Sequence, residues 1–170
     1  MLIGLAGYAR SGKDTVGDLL CTEHGFERTA IADPLKAILL TVDPVVRRQV
    51  NNFGWDAAKA TGSTRHQLQM LGQALSEQFG KDFLIYHALY AYAPDHRLVV
   101  TDIRTPVEAD VIRSQGGFVV RVDRDKVGPA NNHYTERRIA DVDAVISNNG
   151  SKEDLAVRLQ ECLDRLLVIE

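Results

Sequence analysis

A chain of 170 residues, 45% of them hydrophobic, is long enough for one compact domain with a sizeable core. It has no apolar run of about eighteen residues or more, so no membrane span is expected. Its first residues, Met1-Leu2-Ile3-Gly4, lack the basic stretch of a secretory signal. The net charge of −3 argues against wrapping a polymeric nucleic acid, while small phosphorylated ligands need only a local cationic pocket.

In chain order, Leu2 to Ala6 is a short apolar run that stops at a glycine. Lys13 to His24 carries Val16, Leu19 and Leu20 at helical spacing, with Gly25 placed as a C-cap. Phe26 to Ile31 reads as a second strand. Asp33-Pro34 opens a helix to about Thr41, with proline in its first turn. Residues 43–63 read as less regular, with Pro44, Gly54 and Gly62 among them. A helix runs from about Thr64 to Phe79, with Leu68, Leu71, Leu75 and Phe79 on one face and Arg65, Gln69 and Gly72 on an adjacent one. Another helical stretch covers about Asp82 to Ala93.

Leu98 to Asp102 is an apolar strand ending in a carboxylate. Thr105-Pro106-Val107-Glu108 forms a capping box for a helix to about Gln115. Phe118 to Val122 is a strand, residues 124–138 are polar and rich in basic side chains, and Ala144 to Ser147 is a last strand. Ser151 and Asp154 cap a final helix whose Leu155, Leu159, Cys162 and Leu166 face inward. Cys21 and Cys162 both fall in helical patterns without metal-ligand spacing, which predicts reduced thiols in a cytoplasmic protein. Strands that are apolar throughout and alternate with helices indicate an α/β fold. Its parallel sheet, of roughly five strands, is covered on both faces in three α/β/α layers. Residues 43–63 and 124–138 are candidates for flaps over the sheet's carboxyl edge, where such folds bind ligands.

The sequence Gly7-Tyr8-Ala9-Arg10-Ser11-Gly12-Lys13 follows the first strand and opens the first helix. In that context a glycine-rich turn aims backbone N–H groups and the positive end of a helix dipole at one point, which favours phosphate. Lys13 would reach the outer phosphates of a nucleoside triphosphate. Such a loop usually continues with Ser or Thr. Here Asp14 stands in that position, and Thr15 follows one place late. Asp14 is either a hard oxygen ligand for Mg²⁺, directly or through a water, or a first-turn acid favoured by the helix dipole. Thr15 could donate to the α-phosphate. Asp102, at the end of an apolar strand, is placed as a second Mg²⁺-directed carboxylate.

A kinase acting on a small phosphorylated acceptor must neutralise two facing phosphate groups, largely with cations. Arg65 and Arg104 each sit beside other site candidates. Arg121, Arg124, Lys126, Arg137 and Arg138 cluster around the basic segment.

Several stretches resemble the deoxynucleoside monophosphate kinases of bacteriophages, within the P-loop nucleoside monophosphate kinases. They are "GLAGYARSGKDTV" (4–16), "ADPLK" (32–36), "GWDAAK" (54–59), "TRHQLQMLG" (64–72), "VVTDIRTPVEAD" (99–110), "GGFVVRVDR" (116–124), "NHYTE" (132–136) and "SNNGSKEDL" (147–155). The resemblance implies a single P-loop kinase domain over residues 1–170, with an acceptor-binding segment at about 43–80 and a lid at about 124–138. It implies transfer of the ATP γ-phosphate to a deoxynucleoside monophosphate, with ATP and Mg²⁺ held by Gly7, Arg10, Ser11, Gly12, Lys13, Asp14 and Thr15. Asp33, Lys36, Arg65, Gln69, Gly72 and Arg104 would serve the acceptor. Lys13, Arg104 and Arg124 would be the catalytic cations, and Asp14 and Asp102 the metal carboxylates. The family's members suggest a homodimer. His133 and Glu136 match a further motif whose role the residues do not reveal.

Two departures bear on the acceptor's base. Glu77 stands about where the family has an arginine, and Leu84 where it has a tryptophan. Trp55 is suited either to stacking on a base or to packing under a flap. Two other readings compete: another small-acceptor kinase, such as dephospho-coenzyme A kinase, and a nucleotide-binding module without turnover.

Overall fold

The structure is a computed structural model, and it describes residues 1–60, 62–90, 96–128 and 139–168. The described elements are, in chain order, β1 (Leu2–Ala6), α1 (Lys13–His24), β2 (Glu27–Thr29), α2 (Asp33–Val42), α3 (Pro44–Ala60), α4 (Ser63–Phe79), α5 (Phe83–Tyr90), β3 (Leu98–Ile103), α6 (Pro106–Ser114), β4 (Phe118–Asp123), β5 (Ala144–Ser147) and α7 (Lys152–Leu167). They fall into two compact units, residues 1–30 with 92–170, and residues 31–91.

The first unit is built on a five-stranded sheet in the order β2-β3-β1-β4-β5, with every neighbouring pair parallel. On one face, Ile3, Leu5, Val99, Val120, Val122 and Ile146 of the sheet pack with Val16, Leu19 and Leu20 of α1 and Leu155, Leu159 and Leu166 of α7. Full burial of a side chain of this size contributes about 1.5–3 kcal/mol. On the other face α6 comes close to the central strand: a Cβ at Gly4 would stand 2.8 Å from Ile103 and 3.1 Å from Ile112. These two covered faces explain why the central strands β1 and β3 are almost wholly apolar, whereas the edge strand β2, Glu27-Arg28-Thr29, is polar, contrary to the expectation of strands apolar throughout. Cys162 is buried in this core, Cys21 is half-buried, and both are free thiols. Burial pushes both thiols upward in pKa.

β1 lies in the middle because the chain leaves it toward β2 and β3 on one side and toward β4 and β5 on the other. That reversal opens a crevice at the carboxyl end of β1, the usual ligand position in such sheets. The helix limits follow from local chemistry. Gly25 ends α1 in the left-handed region (φ 69°), its N–H donating to the Leu20 carbonyl. Capping boxes start α6 at Thr105 and α7 at Ser151.

The second unit is helical. α2 packs with α3, α4 and α5, and α4 packs with α3 and α5. Ile31, Leu35 and Leu39, Val46 and Ala58, and Leu84, Ile85 and Ala88 are its buried apolar residues among those described.

Here the sequence expectation needs correction. Residues 43–63 are not irregular: α3 covers most of them, broken only at Gly54, whose φ of 78° and ψ of 171° are open to glycine alone. The Asp43 carboxylate starts the helix by accepting the N–H groups of Val45 (2.9 Å) and Val46 (3.0 Å), with Pro44 at the first helical position. Among the residues expected on the apolar face of α4, Leu68, Leu71 and Leu75 are half-buried. Phe79, at the helix end, is exposed and stacks on Phe83 at 4.8 Å. β2 is shorter than expected, three residues, and the helix after Asp82 is described to Tyr90, residues 91–93 lying outside the described residues.

Candidate functional site

β1 delivers the chain to Gly7 at the sheet's carboxyl edge. Gly7 has φ 135°, and a Cβ there would lie 2.4 Å from the Val122 carbonyl oxygen and 2.9 Å from Ser11 Oγ. Gly12 has φ 104°, and a Cβ there would lie 2.1 Å from Asn148 Nδ2. Only glycine satisfies both the backbone angle and the space at these two positions. Between them Arg10 takes φ 67°, and the Ser11 N–H donates to the Tyr8 carbonyl at 3.1 Å. Lys13 Nζ donates to the same carbonyl at 2.8 Å, so the loop curls around its own lysine.

Three observations fit a phosphate group in this cradle. Ser11 Oγ is buried and has no hydrogen-bond partner among the described residues. Gly12, the N-cap of α1, offers no side-chain cap to the helix's first turn, the end at which a helix favours an anion. At Gly7 and Gly12 the bare backbone packs directly against Val122 and Asn148, so no side chain of the turn stands between its N–H groups and a ligand. Asn148, after β5, fastens the loop by donating from Nδ2 to the Ser11 carbonyl at 2.8 Å. Its own N–H donates to the Asp123 carbonyl at 2.7 Å, which ties the ends of β4 and β5 to the same point.

Asp14 is exposed in the first turn of α1 and is ion-paired with Arg28 of β2, whose other terminal nitrogen meets Asp18 at 2.7 Å. Asp102 is half-buried, one residue before the end of β3. The register there shifts: Gly4 pairs with Val100 but Ala6 with Ile103, so β3 carries one extra residue beside the loop. Among the described residues no group of three or more His, Cys, Asp or Glu could hold a metal ion unaided. A Mg²⁺ ion held by one or two carboxylates together with phosphate oxygens matches the donors that are present.

Arg104 follows β3 and is exposed. Its backbone is fixed by Glu108, whose carboxylate accepts the N–H groups of Arg104 (2.7 Å) and Thr105 (2.9 Å). Burial pushes the Glu108 carboxyl above the usual glutamate range, against the lowering effect of those two N–H groups, and the Asp102 charge adds to the rise.

Arg121, grouped with the lid by sequence, belongs to β4. It pairs with Asp123 at 3.0 Å and donates to the Ile139 carbonyl at 3.0 Å, an anchoring arrangement. Arg124 is exposed just past β4, in a turn that places Lys126 at φ 63°. Of the expected lid, residues 129–138, with His133, Glu136, Arg137 and Arg138, lie outside the described residues.

In the helical unit, Asp33 and Lys36 pair at 2.6 Å across the first turn of α2. On α4 Arg65 is exposed, and Gln69 and Gly72 are half-buried. A Cβ at Gly72 would press Leu35 at 3.2 Å, so this glycine lets α4 approach α2. Asp43 Oδ2 accepts from Gln67 of α4 at 2.9 Å. Trp55 is half-buried with Lys59 over its ring at 5.9 Å. Glu77 is exposed and accepts from Gln73 on its own helix, while Leu84 is buried.

Three residues that bear on the site were not singled out from sequence for what they do here: Arg28, Asn148 and, beyond its cap, Glu108. Glu108 is detectable as the last residue of its capping box, the third of the helix. Arg28 and Asn148 act across distances of 14 and 137 positions and leave no local signal.

Residues 41–159 match the family model described as "Deoxynucleotide monophosphate kinase". A protein of Acanthamoeba polyphaga mimivirus, described as "Putative deoxynucleotide monophosphate kinase", is 29% identical over 188 residues, covering 96% of each chain. Shikimate kinase from Aquifex aeolicus vf5 is similar in structure, with a TM-score of 0.53 at 14% identity and 99% of each chain covered. That likeness establishes the fold: a parallel α/β sheet of the P-loop kinase type.

Proposed function

The chain belongs to the deoxynucleotide monophosphate kinase family, and from that premise we propose that it moves the γ-phosphate of ATP to a deoxynucleoside 5′-monophosphate, yielding the diphosphate used for DNA synthesis. The observation that carries the reading is the loop from Gly7 to Lys13: two positions that only glycine fits, a buried Ser11 hydroxyl with no partner among the described residues, and a lysine turned back onto the loop.

In this reading Gly7, Arg10, Ser11, Gly12 and Thr15 bind the ATP phosphates through backbone N–H groups and hydroxyls. Lys13 turns from the Tyr8 carbonyl to the transferring phosphate. There its charge counts most, because little covalent chemistry falls to the protein. Asp14 and Asp102 are the carboxylates that would hold Mg²⁺, which when bound neutralises charge between phosphate oxygens. Arg104 meets the acceptor phosphate and Arg124 adds positive charge from the lid segment. Asp33, Lys36, Arg65, Gln69 and Gly72 serve the acceptor on the helical unit. The partners are small nucleotides, and a homodimer in the cytoplasm is part of the same proposal. Among the described residues no helix is long and apolar enough to cross a membrane.

The test is ADP release from ATP–Mg²⁺ with a panel of acceptors: the four deoxynucleoside monophosphates, their ribose counterparts and dephospho-coenzyme A. ADP release that depends on a deoxynucleotide supports the proposal, and release with dephospho-coenzyme A alone moves the chain to that reaction. ATP binding without acceptor-dependent ADP would leave a binding module.

A further inference from the structure

We propose that Arg28 is the counter-cation that allows a carboxylate to stand directly after Lys13, and so is a positioning residue for nucleotide binding. The inference rests on the phosphate-site reading above and goes beyond it in assigning Arg28 a part. A carboxylate at Asp14 shares the first turn of α1 with the loop that would receive a triphosphate, and like charges at one helix end repel. Asp18 lies four positions on, on the same face, and adds a second like charge at a spacing that destabilises helices. Arg28 answers both. From β2 its guanidinium reaches along α1, one terminal nitrogen on Asp14 and the other on Asp18. A planar fork meets two carboxylates where a lysine would meet one.

The neighbouring residues leave room for this reach. Gly17 lies between the two acids on α1, and a Cβ there would stand 3.8 Å from Arg28 Cζ and Nε and 2.9 Å from Thr101 Cγ2. The bare glycine lets α1 sit against β3 with the guanidinium alongside. The Arg28 side chain is 34% exposed and that of Asp14 82% exposed. Arg28 is thus the better anchored partner, and Asp14 presents a partly neutralised carboxylate to solvent. Ion pairs this exposed add little to fold stability. The effect of Arg28 should therefore be read in the affinity for anions at the loop.

The experiment is calorimetric titration of the full chain with ATP, in EDTA and in Mg²⁺, for Arg28→Gln, Asp14→Asn, the double variant and Arg28→Lys, with circular dichroism confirming the fold of each. Arg28→Gln should weaken Mg²⁺-free ATP by about 10-fold or more, and Mg²⁺–ATP by less, because the cation takes over the neutralisation. With Asp14→Asn already present, Arg28→Gln should change affinity by less than about 3-fold. Arg28→Lys, which keeps the charge, should stay nearer the unmodified chain than Arg28→Gln. A loss on Arg28→Gln that is the same whether or not Asp14→Asn is present would overturn the proposal, as would a loss on Arg28→Lys as large as that on Arg28→Gln. If the unmodified chain binds no ATP, the phosphate-site reading falls and this proposal with it. If it binds ATP and the effects add, only the role of Arg28 falls.

Discussion

The Glu108 carboxylate accepts the backbone N–H of Arg104 at 2.7 Å, so the cap of α6 also fixes the residue that leaves β3 toward the proposed acceptor phosphate. Glu108→Ala strands the N–H groups of Arg104 and Thr105. It should cost about 1–3 kcal/mol in urea unfolding, and should lower kcat/KM by roughly 10-fold through loss of Arg104 positioning. The pH dependence has a definite sign. Because the folded pKa is raised, ionising Glu108 disfavours the folded state, and stability from this group falls as pH rises from the ordinary glutamate value through the folded one. Glu108→Gln, which does not titrate, should remove that decline. An unchanged stability–pH curve would show that the carboxyl is not perturbed.

The loop glycines separate space from flexibility. Gly7→Ala and Gly12→Ala meet both a positive φ and a steric overlap, whereas Gly25→Ala meets only a φ of 69° with nothing within 4 Å. Gly25→Ala should cost about 1–2 kcal/mol and leave ATP affinity unchanged. The two loop substitutions should cost more in thermal unfolding and abolish measurable ATP binding by calorimetry. Retained affinity in Gly7→Ala would mean that the loop does not receive phosphate.

Lys13→Met tests the chemistry apart from the fold. Thermal unfolding of the variant separates loss of the lysine's hydrogen bond to the Tyr8 carbonyl from loss of chemistry. Turnover should fall by at least ~10²-fold, the scale of one lost charge-stabilising group. Turnover near that of the unmodified chain would remove Lys13 from the reaction.

Asp43 makes the helical unit acid-sensitive. The Val46 N–H, then Gln67, hold its carboxyl below the usual aspartate range. Stability from this group is present above the ordinary aspartate value and is lost as pH falls through the lower folded value. Asp43→Asn keeps an N-cap oxygen. It should therefore be less stable than the unmodified chain at pH 7, with the gap narrowing as pH falls below the ordinary aspartate value, read by urea unfolding across that range. A gap that does not change with pH would place the effect in packing.

The sheet was legible because its central strands are short, apolar and separated by strong glycine and capping signals. Gly25, Thr105 and Ser151 mark helix limits that the structure repeats. Asp33-Pro34 reads as a helix start, and the same pair at Asp43-Pro44 starts α3, but Pro44, Gly54 and Gly62 within one stretch read as a broken segment. Gly54 does break α3, but as a single kink inside a helix that burial of Val46 and Ala58 holds in place. At the candidate site the loop from Gly7 to Lys13 was visible from its spacing. Arg28 was not, because an arginine on a three-residue edge strand reads as surface charge until β2 is set beside α1. The extra residue in β3 near Asp102 was hidden as well, since register belongs to the paired strands and not to either one alone.

The central claim is phosphoryl transfer to a deoxynucleotide, and coupled measurement of ADP release from ATP–Mg²⁺ across the acceptor panel tests it most directly. The account predicts ADP formation that requires at least one of dTMP, dGMP, dCMP or dAMP and is lost in Lys13→Met. ADP formation indifferent to every deoxynucleoside monophosphate, with ATP bound, would contradict it.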